Sequence, residues 1–132
     1  MSTVAGLTEE EKPFSEYCSR YHRASEMLGR RWAPSILRAL LVKPQRFNEL
    51  LHIVQGVSDR LLTERLRDLE EAGLVHRHVS TGRPVVVEYS LTEAGQDLGQ
   101  VVDALRNWVV KWMPTEGWPD SPSQSGSSLR GG

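Results

Sequence analysis

Residues 47–72 decide the fold, with FNELLHIV at 47–54, the turn QGV at 55–57 and SDRLLTERLRDLEEA at 58–72. The apolar residues of the first and third segments recur at helical spacing, so each segment predicts a short helix with one apolar stripe. Ser58 occupies the position of a helix N-cap. Two such helices, joined by a tight turn that contains Gly56, form a helix-turn-helix unit whose second helix fits the DNA major groove.

The residues after this motif predict a β-hairpin. A strand over Val75–Val79 leads to a Gly-Arg-Pro tip, and a second strand is predicted over Val85–Leu91. Helix, helix and hairpin in that order describe a winged helix. We therefore expect an α+β fold that is mainly helical, with further helices on both sides of the motif.

The flanking segments predict those further helices. A first helix is expected over Tyr21–Leu28 and a second over Trp32–Val42, while Thr92 is a candidate N-cap for a final helix over residues 93–113. One face of the final helix is too apolar for a surface helix, so we expect a second copy of the chain to cover it. The predicted dimer interface consists of Leu98, Val101, Val102, Leu105, Trp108, Val109 and Trp112.

Length and composition suit one domain. The sequence predicts a flexible segment at residues 1–14, a winged-helix domain at 15–113 and a disordered Ser/Gly/Pro tail at 114–132. The net charge of −1, from 16 Lys+Arg and 17 Asp+Glu, is not the basic signature of a nucleic-acid binder, so DNA binding must depend on local charge. With neither a signal core nor a run long enough to cross a bilayer, we expect a cytoplasmic protein with no membrane partner.

The residues that carry enzyme chemistry are not evident in the sequence. It has no Gly-rich phosphate loop and no nucleophile elbow, so we predict neither an enzyme nor a cofactor. His76 and His78 could offer two nitrogens to a metal, but no further ligand stands at a suitable spacing, so we predict no metal site.

We predict that the base-reading surface lies on the side of the second motif helix opposite its leucines. Arg60 and Arg67 could each donate two hydrogen bonds to guanine, and Asp59 or Glu64 could accept one from cytosine. The alternative is an ordinary solvated helix face. The predicted base-reading residues are Ser58, Asp59, Arg60, Thr63, Glu64 and Arg67.

This helix is net acidic, with three arginines against five acids between Ser58 and Glu71. Contacts to DNA phosphate must therefore come largely from elsewhere. Arg46, Arg77 and Arg83 are the main candidates, although strand alternation leaves open that the domain half-covers Arg77. Lys43, Arg30 and Arg31 extend this set.

Cys18 is the only cysteine of the chain, so it cannot form an internal disulfide. A nearby helix N-terminus and the following Arg20 and Arg23 would favour the thiolate, the form that reacts with oxidants and electrophiles. Cys18 is therefore a candidate redox-sensing residue. The alternative is a small buried hydrophobic residue.

From about Cys18 to Met113 the chain resembles the HxlR family of bacterial winged-helix regulators. Its most specific motifs are Gly29-Arg30-Arg31-Trp32, Phe47-Asn48-Glu49-Leu50, Val57-Ser58-x-Arg60-x-Leu62-Thr63-x-Arg65-Leu66-x-x-Leu69, Gly73-Leu74-Val75 and Val87-Glu88-Tyr89-Ser90-Leu91-Thr92-Glu93-x-Gly95. Two positions depart from the family pattern. Arg30 replaces the second Gly of the family's Gly-Gly-Lys-Trp, and Val86 stands where the wing often carries Arg.

The resemblance implies a homodimer, built on the terminal helices, that binds an inverted repeat in double-stranded DNA and acts as a repressor or less often an activator. It also implies that a lone N-terminal Cys, matched by Cys18, serves some members as a sensor of thiol oxidants, quinones or aldehydes. One alternative is a small hydrophobic effector held among Trp32, Trp108 and Trp112. Another alternative is a winged helix that binds only proteins. The near-neutral net charge and the acidic second motif helix favour this alternative.

Overall fold

The computed structural model describes residue 8 and residues 14–118, with side chains from Cys18 onward. Most of the predicted segment 1–14 and most of the predicted tail 114–132 lie outside these residues. The helices are α1 (Phe14–Gly29), α2 (Ala33–Val42), α3 (Phe47–Ile53), α4 (Asp59–Glu71) and α5 (Glu93–Trp112). The strands are β1 (Gln45–Arg46), β2 (Val75–Val79) and β3 (Val87–Leu91).

The three strands form one antiparallel sheet in the order β1-β3-β2. Helices dominate the described chain, so the predicted class, mainly helical with a β-hairpin wing, is confirmed. The chain divides into a compact unit that ends at Val102 and a second unit that begins at Asp103, within α5.

The core of the first unit comes from the predicted helical stripes. Its largest fully buried side chains lie on α2, α3 and α4, which pack through the apolar residues that recur at helical spacing. Leu41, next to Leu40 on α2, is only partly buried. The fully buried set is Ile36, Leu37, Leu40, Leu50, Leu62, Leu66 and Leu69.

Two element boundaries differ from the predictions by more than one residue, and one strand was not predicted. α1 begins at Phe14 rather than Tyr21, because a nucleated helix propagates through polar residues that carry no apolar periodicity. β1 was not predicted because two residues are too short to show strand alternation. β3 begins at Val87 rather than Val85, because the Val86 N–H donates to the Ser80 hydroxyl at 2.9 Å and not to a backbone carbonyl of β2.

A polar joint connects the end of α4 to the start of α5. Gly73 follows α4 with a left-handed φ of 77°, and the Thr92 hydroxyl donates to the Gly73 carbonyl at 2.6 Å. The Thr92 N–H donates to the Leu74 carbonyl at 3.0 Å, while its Oγ1 accepts from Gly95 N–H at 3.1 Å. Thr92 is therefore the N-cap predicted for the final helix.

Candidate nucleic-acid interface

The start of the recognition helix α4 is set by Ser58. Its Oγ accepts a hydrogen bond from Leu61 N–H at 3.1 Å, which satisfies one of the free donors of the first turn. Asp59 places a carboxylate in that turn, where the helix dipole favours negative charge. The predicted N-cap is confirmed, and α4 begins at a defined residue.

The turn before α4 depends on Gly56 and Trp32. Gly56 has a φ of 96°, and a Cβ at this position would lie 3.0 Å from the Trp32 indole. Trp32, itself in the left-handed region with φ 77°, is partly buried against the core. Trp32 therefore packs the turn of the motif, and its part in an effector site remains a hypothesis.

The structure places all six predicted base-reading residues on the exposed surface at the start and middle of α4. The Arg60 side chain is 89 % exposed, and its ion pair with Glu64 is long, at 3.6 Å. Such a pair on a solvated helix face is weak and leaves Arg60 free to find another acceptor. The Thr63 hydroxyl donates to the Asp59 carbonyl at 2.8 Å but can still accept a hydrogen bond.

Arg67 and Arg77 lie on the same groove between α4 and the wing. The groove has a volume of about 400 Å³, and Thr63, Glu70 and Tyr89 also line it. Arg77 pairs with Tyr89 across the β2–β3 ladder, so the two residues share one face of the sheet. Within the described part of the chain, the Arg67 side chain makes no ion pair or hydrogen bond. Two guanidinium groups from different elements therefore meet at one groove.

Strand alternation left open that the domain half-covers Arg77, and in the structure this residue lines the groove beside α4. Arg77 is exposed, because only Val75, the first residue of β2, is buried and the rest of this strand extends away from the core. Arg83 lies on the exposed hairpin tip, and Arg46 is exposed where its backbone N–H donates to the Glu49 carboxylate at 2.7 Å. The three predicted phosphate-contact arginines thus come from three separate exposed segments.

Sequence reasoning missed a polar network on the other side of α4. Arg65 Nη1 lies 3.2 Å from Asp68 Oδ2, and Arg30 Nη1 lies 3.0 Å from the same oxygen. The Arg65 and Asp68 spacing of i and i+3 was the available signal, because side chains at this spacing are neighbours on a helix. The contact with Arg30 had no sequence signal, since it joins residues far apart in the chain.

Cys18 is the fifth residue of α1, and its free thiol side chain is partly buried. It is thus neither a fully buried hydrophobic residue nor fully exposed. At this intermediate exposure the residue is partly accessible from solvent.

The apolar face predicted for dimerisation is divided along α5. Val102 is only 4 % exposed and belongs to the core of its own unit, so its prediction as an interface residue is wrong. It is buried because the small residues Gly95 and Gly99 let the first turns of α5 approach that core closely. Leu98 also packs against the core and is partly buried. The other five predicted residues are exposed, namely Val101, Leu105, Trp108, Val109 and Trp112.

Within residue 8 and residues 14–118, no three potential metal ligands cluster together. Over the same residues, every helix is too short or too polar to cross a membrane.

A helix-turn-helix with an exposed second helix, followed by a β-hairpin, defines the winged-helix class of DNA-binding transcriptional regulators. The HxlR-like helix-turn-helix family model matches residues 27–117, and the chain belongs to this family. The resemblance inferred from the sequence motifs is thereby confirmed.

Similar proteins share this class. YvaP of Bacillus subtilis (strain 168), an uncharacterized HTH-type transcriptional regulator, is 38% identical over 99 residues, which cover 75% of this chain and 92% of YvaP. The HTH-type transcriptional regulator YodB of the same organism is 36% identical over 91 residues, covering 69% of this chain and 81% of YodB. The protein is accordingly a transcriptional regulator of this winged-helix kind.

Solved structures show the same fold. The reduced form of YodB from B. subtilis superposes with a TM-score of 0.65 at 33% identity and covers 74% of this chain and 96% of that chain. The redox regulator HypR in its oxidized form superposes with a TM-score of 0.69 at 32% identity, covering 73% of this chain and 99% of that chain.

Proposed function

We propose that this regulator acts as a homodimer that binds an inverted-repeat operator in double-stranded DNA and represses transcription. The observation that carries the proposal is the exposed surface of α4, where Arg60 is exposed and Arg67 lines the groove that the wing arginine Arg77 also lines. A two-fold dimer would present two copies of α4 to successive major grooves about 34 Å apart, which matches a palindromic site.

Base reading is assigned to the outward side of α4. Arg60 and Arg67 would each donate a bidentate pair to guanine O6 and N7, and Thr63 would contact a base edge or a thymine methyl. Asp59 and Glu64 would accept from cytosine N4 and repel bases that present only acceptors. Asp59 and Glu64 would thus contribute to specificity, because on a wrong DNA sequence their carboxylates would face acceptor atoms or phosphate and be repelled.

Phosphate binding is assigned to arginines outside α4. Arg46 precedes α3, Arg77 borders the groove beside α4, and Arg83 lies at the hairpin tip. Their charges would offset the repulsion between the acidic residues of α4 and the DNA backbone, and each phosphate contact releases counterions on binding. Affinity should therefore fall as the salt concentration rises.

Alanine substitution of Arg67 tests the base-reading assignment. We expect Arg67→Ala, and separately Arg60→Ala, to weaken binding to the operator by about 1–3 kcal/mol and to relax preference at one base position. Fluorescence anisotropy on the intergenic DNA beside this protein's own gene, against a shuffled duplex at two salt concentrations, measures both effects.

Arg23→Ala is the matched control for the arginine variants, because it removes the same charge from an exposed position on α1. It should leave the preference for the operator unchanged. If both α4 variants bind as tightly as the wild type, the assignment fails. Weak, equal binding of the wild type to both duplexes would instead favour a winged helix that binds a protein partner.

We further propose that an oxidant or electrophile modifies Cys18 and changes DNA affinity. The partly accessible thiol supports this switch, and so does the similarity to structures described as reduced or oxidized regulators. The thiolate sulfur would add to a ring C=C carbon of a quinone, so that a C–S bond forms, the π electrons pass to the carbonyl oxygen, protons complete the hydroquinone adduct and no group leaves. The modified side chain would no longer fit its partly buried place on α1 and would shift that helix.

Substitution of Cys18 tests this switch without ambiguity, because Cys18→Ser leaves the chain free of thiols. Treatment with a quinone should change the operator affinity of the wild type and leave that of Cys18→Ser unaltered. Anisotropy with and without the quinone, alongside intact-protein mass spectrometry, measures the response and the adduct. A Cys18→Ser protein that responds as the wild type does would exclude the thiol as the switch.

A further inference from the structure

The turn between α1 and α2 is joined to the second half of α4 by two polar contacts, and a third contact within α4 links the residues that make them. Arg30 Nη1 and Arg65 Nη1 lie 3.0 Å and 3.2 Å from Asp68 Oδ2. Arg65 Nε donates to the Arg31 carbonyl at 2.9 Å. We propose that these residues form a clasp, consisting of Arg30, the Arg31 carbonyl, Arg65 and Asp68, that positions α4 for base reading.

The geometry of Arg65 allows the clasp to fix the rotation of α4 about its axis. Its planar guanidinium presents donors in a fixed arrangement, and here one donor meets a backbone carbonyl while another meets a carboxylate on its own helix. The Arg65 side chain is 19 % exposed and that of Asp68 is 31 % exposed, so water screens these contacts only in part. Rotation of α4 about its axis would break the bond from Arg65 to the Arg31 carbonyl.

The clasp lies on the side of α4 away from the proposed base-reading surface. Arg65 and Arg67 are two residues apart, which at 3.6 residues per turn places them about 200° apart around the helix. Arg65 is partly buried, whereas Arg67 is exposed beside the wing groove. Arg65 and Asp68 therefore affect base reading through the orientation of α4 and not by contact with DNA.

A second attachment point lies in the same turn. Trp32 packs its indole against Gly56, in the turn that precedes α4. Contacts near Gly56 and contacts at Asp68 hold α4 at two places along its length. Two separated attachments restrain the direction of a helix axis as well as its rotation, so the α1–α2 turn serves as a common support for the recognition helix.

The clasp assigns Arg30 a role that differs from the phosphate contact expected from its sequence. Arg30 stands where the family pattern has Gly, and in the structure its guanidinium is paired with Asp68. The two possible roles of Arg30 predict opposite effects of removing the Asp68 carboxylate. If Arg30 contacts phosphate and Asp68 merely repels DNA, removal of this acid should tighten binding. Removal of an acid that orients α4 should loosen binding to the operator alone.

The binding experiment compares Arg30→Gln and Asp68→Asn in the full chain, on the operator and on a shuffled duplex at two salt concentrations. We expect each variant to weaken operator binding about 3- to 10-fold, with the double variant no weaker than the singles, because coupled residues are not additive. Affinity for the shuffled duplex and the salt dependence should stay unchanged. If Arg30→Gln weakens both duplexes and lowers the salt slope while Asp68→Asn tightens both, the clasp is overturned.

The specificity readout rests on the proposed function, so a second measurement tests the clasp without DNA. Hydrogen exchange should be faster in both variants at the α1–α2 turn, where Arg30 N–H donates to Met27 O and Ala33 N–H to Arg30 O. Arg23→Gln is the control, because Arg23 lines a cavity together with Arg30 and Asp68 but has no ion pair with Asp68. Unchanged exchange in both variants would overturn the clasp, whereas a wild type without duplex preference would count against the proposed function alone.

Discussion

Replacement of Gly95 by alanine should lower the free energy of unfolding by about 3 kcal/mol, near the upper end for overpacking of a closely packed site. A Cβ at Gly95 would overlap the carbonyl oxygen of Leu74 and crowd the side chain of Leu91. The carbonyl cannot simply move aside, because it accepts the hydrogen bond from Thr92 N–H at 3.0 Å. The first turn of α5 would have to shift away from Leu74, the residue that precedes β2.

Gly29→Ala is the matched control, because it adds the same methyl group at the end of α1 with no atom within 4 Å of the new Cβ. Alanine is also the better helix former, so this variant should be as stable as the wild type or slightly more so. Urea unfolding followed by circular dichroism measures both. Equal unfolding midpoints for Gly95→Ala and the wild type would show that α5 does not depend on this close approach.

The polar joint between the end of α4 and the start of α5 gives a physical reason for the Thr92-Glu93-x-Gly95 motif. Thr92 uses its hydroxyl as a donor to Gly73 and as an acceptor from Gly95, so it links the end of α4 to the start of α5. Gly95 has no side chain because the chain at Leu74 passes directly beside it. The motif thus ties the recognition helix and the proposed dimer helix through two adjacent turns.

Local patterns predicted the parts of the fold that depend on local interactions. Helical spacing of leucines identified α3 and α4 because an amphipathic stripe must face the core. Ser58 and Thr92 were predicted as N-caps since a hydroxyl at that position satisfies free N–H groups of the first turn, and both bonds are present. Because the leucines identified the buried side of α4, the opposite side could be predicted to be exposed.

Contacts between distant segments could not be predicted in the same way. The Arg30 to Asp68 ion pair joins the α1–α2 turn to α4, and no spacing in the sequence indicates it. Val102 shares the apolar face of α5 with Trp108, yet it is buried in the core because Gly95 and Gly99 bring only the first turns of the helix close. Periodicity identifies an apolar face but does not distinguish the core of one subunit from the surface that a partner covers.

The second half of α5 leads to the other prediction with a large effect. Leu105, Trp108 and Trp112 are 51%, 46% and 64% exposed, which is unusual for large apolar residues on neighbouring turns. In the proposed dimer a second copy of the chain covers them. We expect combined Trp108→Ala and Trp112→Ala to separate the dimer into monomers, because buried tryptophans at an interface each contribute about 2 kcal/mol or more.

Loss of the dimer should reduce operator affinity about 100-fold or more, since a monomer engages one half-site and forgoes the gain from two linked contacts. Sedimentation velocity measures the mass, and anisotropy on the operator measures the affinity. Asn107→Ala is the control, as it lies on the opposite, polar side of α5 and should change neither. A double variant that remains dimeric and binds the operator fully would place the dimer interface elsewhere, whereas a monomeric variant with full affinity would refute the requirement for two half-sites.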